Sequence, residues 1–261
     1  MSESQNPIVL AAVAHPDDIE FLFSGTLLRL KEAGSPIHMW NLLDGSCGSL
    51  THSRKEIIRI RANEATRSAA IAGAEIHPSV FPDLAVFYDK SSLATVSAMM
   101  RSIRPQIILT HSVNDYMEDH QNVCRLITTA AFSRSMPNFS TDPEHPPYAD
   151  PVRIYHAPPH GMRDGMNELF HPDFLIDVGS TMETKTRMLA CHESQYAWLD
   201  GTQGMESPVD EMQRMCRTMA AWGYGMQYAE GWRRHPHLGF CAPAFDPLQD
   251  RLRDFLQPYT R

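Results

Sequence analysis

Short apolar runs alternate with longer segments of helical periodicity along the first half of the chain. Residues 7–14 are almost entirely apolar and have the length of a strand that is buried on both faces. Residues 19–33 follow with leucines at helical spacing, and Gly34 stands where a helix would end. The same alternation recurs downstream. It predicts an α/β fold, a Rossmann-like three-layer sandwich with a mainly parallel central sheet.

The remaining elements are predicted from the same patterns and from their stop signals. Further strands are expected at residues 37–43, 76–81, 106–110, 152–156 and 174–178. Further helices are expected at residues 53–72, 93–103, 121–135, 181–191, 212–222 and 246–256. Ser53 and Glu56 have the spacing of a capping box at the start of the longest helix. We expect a single domain over residues 1–261 that is rich in loops from about residue 137 onward.

Composition narrows the possible partners and the compartment. The chain carries 31 acidic and 23 basic side chains, and its formal net charge of −8 disfavours a nucleic-acid partner. No apolar run approaches the roughly 18 residues of a membrane span, and the N-terminus lacks a signal-peptide pattern, so a cytoplasmic protein is expected. The five cysteines include no CxxC pair, which argues against a disulfide framework and a thiolate zinc site.

Two of the predicted strands end in side chains of the kind that bind metals. Strand 7–14 leads into His15-Pro16-Asp17-Asp18, and strand 106–110 leads into the polar segment 111–120. Because the carboxyl ends of parallel strands meet at one edge of a sheet, both segments are expected at the same site. Histidine and aspartate suit a divalent metal. In the alternative, Asp17 and Asp18 only cap the following helix. It is less favoured because two separate strand-to-helix connections bring histidine and aspartate to the same edge.

The residues at this edge suggest a specific chemistry. A catalytic zinc commonly has three protein ligands and one water molecule, and His15, Asp18 and His120 would supply the three ligands. The metal lowers the pKa of its water to about 7 and polarises a carbonyl oxygen. Asp17 is placed to accept the proton and to return it to a leaving amine. No GxSxG or HExxH motif is present, so a metal-dependent hydrolase of amide-type bonds is predicted.

The ordered set of motifs resembles the PIG-L/LmbE-type zinc-dependent N-acetylglucosaminyl deacetylases. Ala14-His15-Pro16-Asp17-Asp18 with Gly25-Thr26-Leu27 looks like their opening motif, and residues 110–120 resemble their second metal motif. Further segments follow in the family's order, and these are Arg61 with Glu64-Ala65, Pro82-Asp83, residues 191–195 and residues 228–231. The resemblance covers roughly residues 7–235.

The resemblance implies a Rossmann-like fold and a bound Zn²⁺, or another divalent metal. It implies removal of an acetyl or other acyl group from an N-acetylglucosamine-type sugar or its conjugate, with the bacillithiol-pathway branch as the nearest suggestion. Members of that branch tend to be homo-oligomers, often hexamers, so a homo-oligomer is expected. The site residues that carry over are the metal ligands His15, Asp18 and His120, the general base Asp17, and the substrate contacts Arg61 and Arg153.

One position departs from the family's pattern. Where the family usually has His-Pro-Asp-His, this chain has Met117-Glu118-Asp119-His120. Methionine neither titrates nor donates a hydrogen bond, so either His111, His160 or Tyr116 takes over its task or the activity is altered. An alternative function is therefore a catalytically altered or inactive metal-binding relative that acts as a ligand-binding or scaffold protein. A nucleotide-binding protein is disfavoured because no GxGxxG follows the first strand.

Other interpretations stay open for individual residues. Arg61 lies on a helix whose arginines mostly suit a solvated face, so it can equally be an exposed helix residue. Arg153 stands at the start of a late strand, where a surface arginine is slightly favoured. Tyr196 and Trp198 can line a sugar pocket, although core packing is the more common use of such residues.

Overall fold

The computed structural model describes residues 6–204 and 207–259. Within these ranges, eight strands form one sheet in the order β3-β2-β1-β4-β5-β7-β6-β8. The strands are β1 (Val9–Val13), β2 (Ile37–Asn41), β3 (Glu75–His77), β4 (Ile107–Thr110), β5 (Arg153–His156), β6 (Phe174–Asp177), β7 (Ala229–Arg234) and β8 (Leu256–Pro258).

Helices cover both faces of this sheet. In the same described ranges they are α1 (Asp18–Leu22), α2 (Ser24–Glu32), α3 (Arg54–Ala72), α4 (Lys90–Ile103), α5 (Glu118–Ser133), α6 (Met182–Leu189), α7 (Ser194–Gln203), α8 (Pro208–Ala220) and α9 (Pro247–Arg251). In the part of the chain that the structure describes, none of these helices has both the length and the apolar character that crossing a membrane requires.

The sheet is parallel in its first half and antiparallel in its second. β1 pairs in parallel with β2 and β4, β2 pairs likewise with β3, and β4 with β5. β7 then lies antiparallel between β5 and β6, and β8 is antiparallel to β6. The predicted α/β fold with a mainly parallel sheet is confirmed. The apolar pattern missed β7 because this strand carries the charged residues Glu230, Arg233 and Arg234.

The strand β1 separates two cores. Its five residues are all buried, as expected for a central strand that is covered on both faces. Val9, Ala11 and Val13 belong to the core beneath α2, α6 and α8. Leu10 and Ala12 belong to the opposite core, which includes side chains of α4 and α5. This burial fixes the end of β1, and therefore the position of residues 15–18 at the sheet edge.

The helix predicted at residues 19–33 is in fact two helices, and this prediction was wrong. The break is at Phe23, whose φ of −153° and ψ of 17° are not helical. The amides of Gly25 and Thr26 donate to the carboxylate of Glu230, at 3.0 and 2.6 Å. A side chain more than 200 residues away thus satisfies the first turn of α2. No local pattern encodes that partner.

Most other boundaries agree with the predictions to within a few residues. The capping box is present, since Ser53 accepts from the Glu56 amide and Glu56 accepts from the Ser53 amide. The third strand is shorter than predicted and spans only Glu75–His77. Pro78 follows it directly and has no amide hydrogen to continue the ladder. The helix α7 was not predicted from the sequence.

Candidate metal centre and active-site cavity

The predicted ligands lie together at the carboxyl end of the parallel strands. His15 follows β1, and Asp18 begins α1. His120 lies in the first turn of α5, after the loop that leaves the neighbouring strand β4. The ring centroids of His15 and His120 are 5.5 Å apart. The two strand-to-helix crossings therefore converge as the sequence predicted.

Asp18 is the centre of this group. Its Oδ2 atom lies 3.5 Å from His15 Nδ1 and 3.5 Å from His120 Nε2. Bonds of roughly 2.0–2.2 Å at tetrahedral angles place neighbouring ligand atoms of a zinc ion roughly 3.3–3.5 Å apart. The same Oδ2 accepts a hydrogen bond of 2.7 Å from the backbone amide of His15, which fixes the carboxylate. The two separations around Asp18 are therefore those that one ion requires, and one donor atom from each of the three residues lies within 4.8 Å of the others.

Each of the two histidines has a carboxylate against its other ring nitrogen. His15 Nε2 lies 3.3 Å from Asp119 Oδ2, and His120 Nδ1 lies 3.2 Å from Asp115 Oδ2. Carboxylates in this position orient metal-binding imidazoles and fix their tautomer. The arrangement leaves His15 Nδ1 and His120 Nε2, the two atoms nearest Asp18, as the available donors.

The environment of His120 tests whether a metal fits. Its Nε2 atom, which is the ring nitrogen nearest Asp18, is buried without a hydrogen-bond partner, and an unpaired buried polar atom costs about 1–3 kcal/mol. His111 stacks on this ring at 4.0 Å, but its Nε2 accepts the amide hydrogen of Ala14 at 2.8 Å. His111 Nε2 also lies 3.4 Å from Asp18 Oδ2, but the Ala14 amide already occupies it, whereas His120 Nε2 accepts no such hydrogen bond. The residues present fit a divalent metal with nitrogen and oxygen ligands.

Asp17 is held apart from the ligand group. Its φ of 120° is unusual for a residue other than glycine, and such a backbone conformation costs about 1–3 kcal/mol and persists only where the surroundings impose it. Arg61 Nη2 donates to Asp17 Oδ2 at 3.1 Å and also to the carbonyl oxygen of Pro16. The arginine thus binds both the backbone and the side chain of this turn. The Asp17 carboxylate remains beside the ligands without joining them.

The two neighbouring aspartates differ in their affinity for protons. Burial raises the pKa of Asp17 to about 6, against the opposing charge of Arg61. Burial acts in the same direction on Asp18, but the adjacent imidazoles of His120, His111 and His15 outweigh it and hold the pKa of Asp18 well below its ordinary value. Paired carboxylates with such different pKa values are typical of sites in which one binds and the other moves protons.

These groups line a cavity of about 270 Å³. The rest of its lining is mostly apolar, and the apolar members are Phe21, Leu22, Leu84, Leu189, Tyr196, Trp198, Leu199 and Pro208. Tyr196 and Trp198 therefore line the cavity, rather than packing only in the core. An apolar wall that faces a few convergent polar groups is typical of a small-molecule site.

Arg61 is enclosed by the loop that follows β2. The side chain of Arg61 is almost fully buried and lines the cavity, so the alternative interpretation of Arg61 as an exposed helix residue was wrong. A Cβ atom at Gly48 would lie 2.7 Å from Arg61 Nη1 and 3.0 Å from Gln195 Oε1. At Gly45, which has a φ of +70°, a Cβ atom would lie 2.5 Å from Arg61 Cδ. The loop needs glycine at both positions to reach the arginine.

We expect Gly48→Ala to lower kcat/KM by roughly 10–100-fold, because the added methyl group displaces the guanidinium that holds Asp17. Gly201→Ala is the matched control, since its Cβ would meet only the terminal Cδ1 of Leu50, at 3.1 Å. Steady-state kinetics of both variants, with melting temperatures as a check on folding, measure the effect. Equal rates for the two variants would show that the position of Arg61 is unimportant.

Comparisons with known proteins give the same resemblance as the motifs. The sequence profile of the PIG-L family, described as GlcNAc-PI de-N-acetylase, matches residues 10–131. The diacetylchitobiose deacetylase of Thermococcus kodakarensis is 28% identical over 241 residues, which cover 88% of this chain and 84% of that protein. The resemblance to the PIG-L family is confirmed. The matched residues 10–131 include the predicted metal ligands, Asp17 and Arg61.

Solved structures share the fold of this PIG-L-like chain. The N,N'-diacetylchitobiose deacetylase from Pyrococcus horikoshii superimposes with a TM-score of 0.76 at 23% identity, over 95% of this chain and 92% of that one. The 4-carboxy-2-hydroxymuconate hydratase GalB from Pseudomonas putida gives a TM-score of 0.70 at 22% identity, over 89% of this chain and 98% of that one. Because a hydratase has the same fold, the reaction must be argued from the site residues.

The structure does not bring Arg153 to the cavity of this PIG-L-like chain. Arg153 begins β5 and pairs with Ile107, the first residue of β4, so it lies at the end of the strands opposite to the metal ligands. Its Nη1 atom contacts the sulfur of Cys241 at 3.6 Å. Arg153 is not one of the described residues that line the cavity. Its placement gives no support to a contact with substrate.

Met117 lines the cavity at the position where the PIG-L family usually has histidine. Of the three groups predicted to replace that histidine, His111 already accepts the amide hydrogen of Ala14. His160 and Tyr116 both line the cavity, and His160 Nε2 is buried without a hydrogen-bond partner. His160 is therefore the imidazole best placed to act in place of the missing one.

Pro82-Asp83 and residues 191–195 are motifs whose roles the sequence did not reveal. Asp83 accepts the amide hydrogens of Gly45 and Cys47, both at 2.8 Å, and so fixes the loop around Arg61. His192 lines the cavity and lies 3.3 Å from the buried carboxylate of Glu20. Asp83 therefore positions the loop around Arg61, and His192 is held against Glu20 in the cavity lining. Only the folded chain shows these contacts.

Proposed function

We propose that this protein is a metal-dependent N-deacetylase that acts on an N-acylated amino sugar or its conjugate. The observation that carries the proposal is Asp17, a buried carboxylate held by Arg61 beside a separate His-Asp-His donor group. The names of the relatives, a GlcNAc-PI de-N-acetylase family and a diacetylchitobiose deacetylase, support an amide of an amino sugar as the bond that is cleaved.

His15, Asp18 and His120 would hold the metal. Two imidazoles and one carboxylate are a ligand set that zinc uses in hydrolases. We propose Zn²⁺ as the metal, and another divalent ion that prefers the same ligands as the alternative. When bound, the ion would polarise the amide carbonyl and lower the pKa of a water molecule. Asp119 and Asp115 would keep the two imidazoles in their ligating orientation.

The other residues of the site would handle protons. Asp17 would accept the proton that the attacking water gives up, and would deliver it to the amine nitrogen as the amide bond breaks. The products are a free amine and a carboxylate, acetate in the simplest case. Arg61 would keep Asp17 in its strained backbone conformation, which is a positioning role.

The cavity supports a small substrate. Its volume of about 270 Å³ is near the lower end of ligand pockets, which span roughly 300–1,000 Å³. One sugar ring with its acyl group is of this scale. The apolar side chains of Tyr196, Trp198 and Leu199 would contact the ring face and the aglycone. The homo-oligomeric state, the cytoplasmic location and the bacillithiol-pathway branch stay predictions of the sequence.

The test is a screen of the metal-loaded protein. N-Acetylglucosamine, N,N'-diacetylchitobiose and aryl or alkyl N-acetylglucosaminides are incubated with the protein, and free amine and acetate are measured. We expect equimolar amine and acetate from at least one conjugate. Metal binding without release of acetate from any of them would instead support the second candidate, a catalytically altered metal-binding relative. The observation that favours this candidate is Met117 in the cavity lining.

The ligand assignment predicts that His120→Gln weakens the metal site. Loss of one of three ligands is expected to reduce metal affinity by more than about 100-fold. This exceeds the usual effect of replacing a residue that only hydrogen-bonds to a ligand. His52→Gln is the control, because His52 is exposed and belongs to no described donor group. Metal content after dialysis measures the effect. A His120→Gln protein that keeps this metal tightly would contradict the ligand set.

A further inference from the structure

A second group of metal-type side chains lies at the edge of the sheet. His38 comes from β2, and Glu75 and His77 come from the edge strand β3. His38 Nδ1 lies 3.0 Å from His77 Nε2 and 3.6 Å from Glu75 Oε2. One donor atom from each of the three residues lies within 4.8 Å of the other two. These separations bracket those expected between ligands of a single zinc ion, roughly 3.3–3.5 Å.

The strand register explains why the three side chains share a face. His38 is the direct partner of Glu75, and Trp40 is the direct partner of His77. Because side chains alternate along a strand, residues 38 and 40 point to one face, and residues 75 and 77 point to the same face. The backbone of two neighbouring strands therefore positions the three donors. A cluster on regular strands is more rigid than one on loops.

We propose that His38, Glu75 and His77 form a second site for a divalent transition-metal ion, independent of the cavity. Two imidazoles and one carboxylate select zinc and its later first-row neighbours, whereas magnesium and calcium prefer ligand sets made of oxygen. The register brings Glu75 to His38, and the hydrogen bond between the two rings brings His77 there, so that His38 Nδ1 has a donor atom of each partner within 3.6 Å. A shared ion would bind all three.

The edge site is spatially separate from the cavity. His38 pairs with Leu10, which lies five residues before His15 along the chain. At roughly 3.3 Å per residue, this offset is on the order of 15 Å along the strands. None of the three residues is among those that line the cavity. The ion would join β2 to the three-residue strand β3, and so stabilise the folded chain at the edge of the sheet.

The first test counts bound metal. The full-length protein is stripped with a chelator, dialysed against Zn²⁺ and assayed for zinc by mass spectrometry. We expect two equivalents for the unmodified chain and for His52→Gln, and one equivalent for each of His77→Gln, Glu75→Gln and His120→Gln. Glu75 is largely exposed, so Glu75→Gln tests the site without a risk to folding.

The second test isolates the edge site in a His120→Gln background. Zinc at about 100 times its Kd should raise the melting temperature by roughly 5 °C, and the rise should vanish in His77→Gln/His120→Gln. Retention of the full zinc content by both His77→Gln and Glu75→Gln would overturn the edge site and leave the proposed function intact. Zinc lost only from those two variants, and not from His120→Gln, would support the edge site and contradict the catalytic ligand set.

Discussion

Asp17→Asn is expected to lower kcat by roughly 10²–10⁴-fold while the metal in the cavity stays bound, because the carboxylate is proposed to transfer the proton and does not ligate the ion. Asparagine is the right replacement for two reasons. It tolerates a positive φ better than most residues, and Asp17 has a φ of 120°. Its amide oxygen can also still accept the hydrogen bond from Arg61, so the turn is preserved.

The measurement for this prediction pairs kinetics with metal content. kcat and KM for the best substrate of the screen are determined alongside zinc stoichiometry and melting temperature. Asp254→Asn is the matched control, because Asp254 is exposed in a 3₁₀ turn far along the chain. A near-normal kcat for Asp17→Asn would remove Asp17 as the base. Loss of metal together with activity would show that Asp17 belongs to the ligand group.

The convergence of the three proposed ligands was predictable because each of them lies close to a strand end that the local sequence reveals. His15 and Asp18 directly follow an apolar strand, and His120 opens a helix after the next strand in the sheet. The general rule that strands end at one edge was enough to bring these residues together. The observed separations of 3.5 Å around Asp18 confirm that convergence, although the metal itself stays a proposal.

The burial of Arg61 could not be predicted from the local sequence. Four arginines occupy helix α3, and helical periodicity alone does not reveal which of them is buried. The answer depends on Gly45, Gly48 and Asp17, which reach α3 from two other loops. Arg153 illustrates the opposite case. A motif match suggested a contact with substrate, but the register of β5 against β4 places it at the far end of the sheet.

The fold is shared by deacetylases and a hydratase, so the reaction depends on a few positions at the sheet edge. In this chain those positions keep a His-Asp-His donor group and a separate acid, while methionine replaces one histidine. The change concerns a group beside the donors rather than a donor. It is therefore expected to alter rate or substrate choice more than metal binding, and His160 is the residue placed to compensate.

Glu230→Ala is expected to destabilise the protein by about 3–5 kcal/mol, the usual cost of breaking a buried ion pair by removing one partner. Glu230 Oε1 lies 2.5 Å from Lys185 Nζ, and both side chains are almost completely buried. The same carboxylate accepts the amide hydrogens of Gly25 and Thr26 at the start of α2. The substitution therefore leaves a buried ammonium and two amides without partners.

Urea denaturation at a fixed metal concentration measures this loss. Glu183→Ala, on the exposed surface of α6, is the control, and its free energy of unfolding is expected to lie within about 0.5 kcal/mol of that of the unmodified chain. The double variant Glu230→Leu/Lys185→Met leaves the same two amides unsatisfied as Glu230→Ala does, but it removes the unpaired buried charge. It should therefore be more stable than Glu230→Ala, despite carrying two changes. A loss of less than about 1 kcal/mol in the single variant would contradict this account, since it would mean that water reaches Lys185 and the two amides of α2.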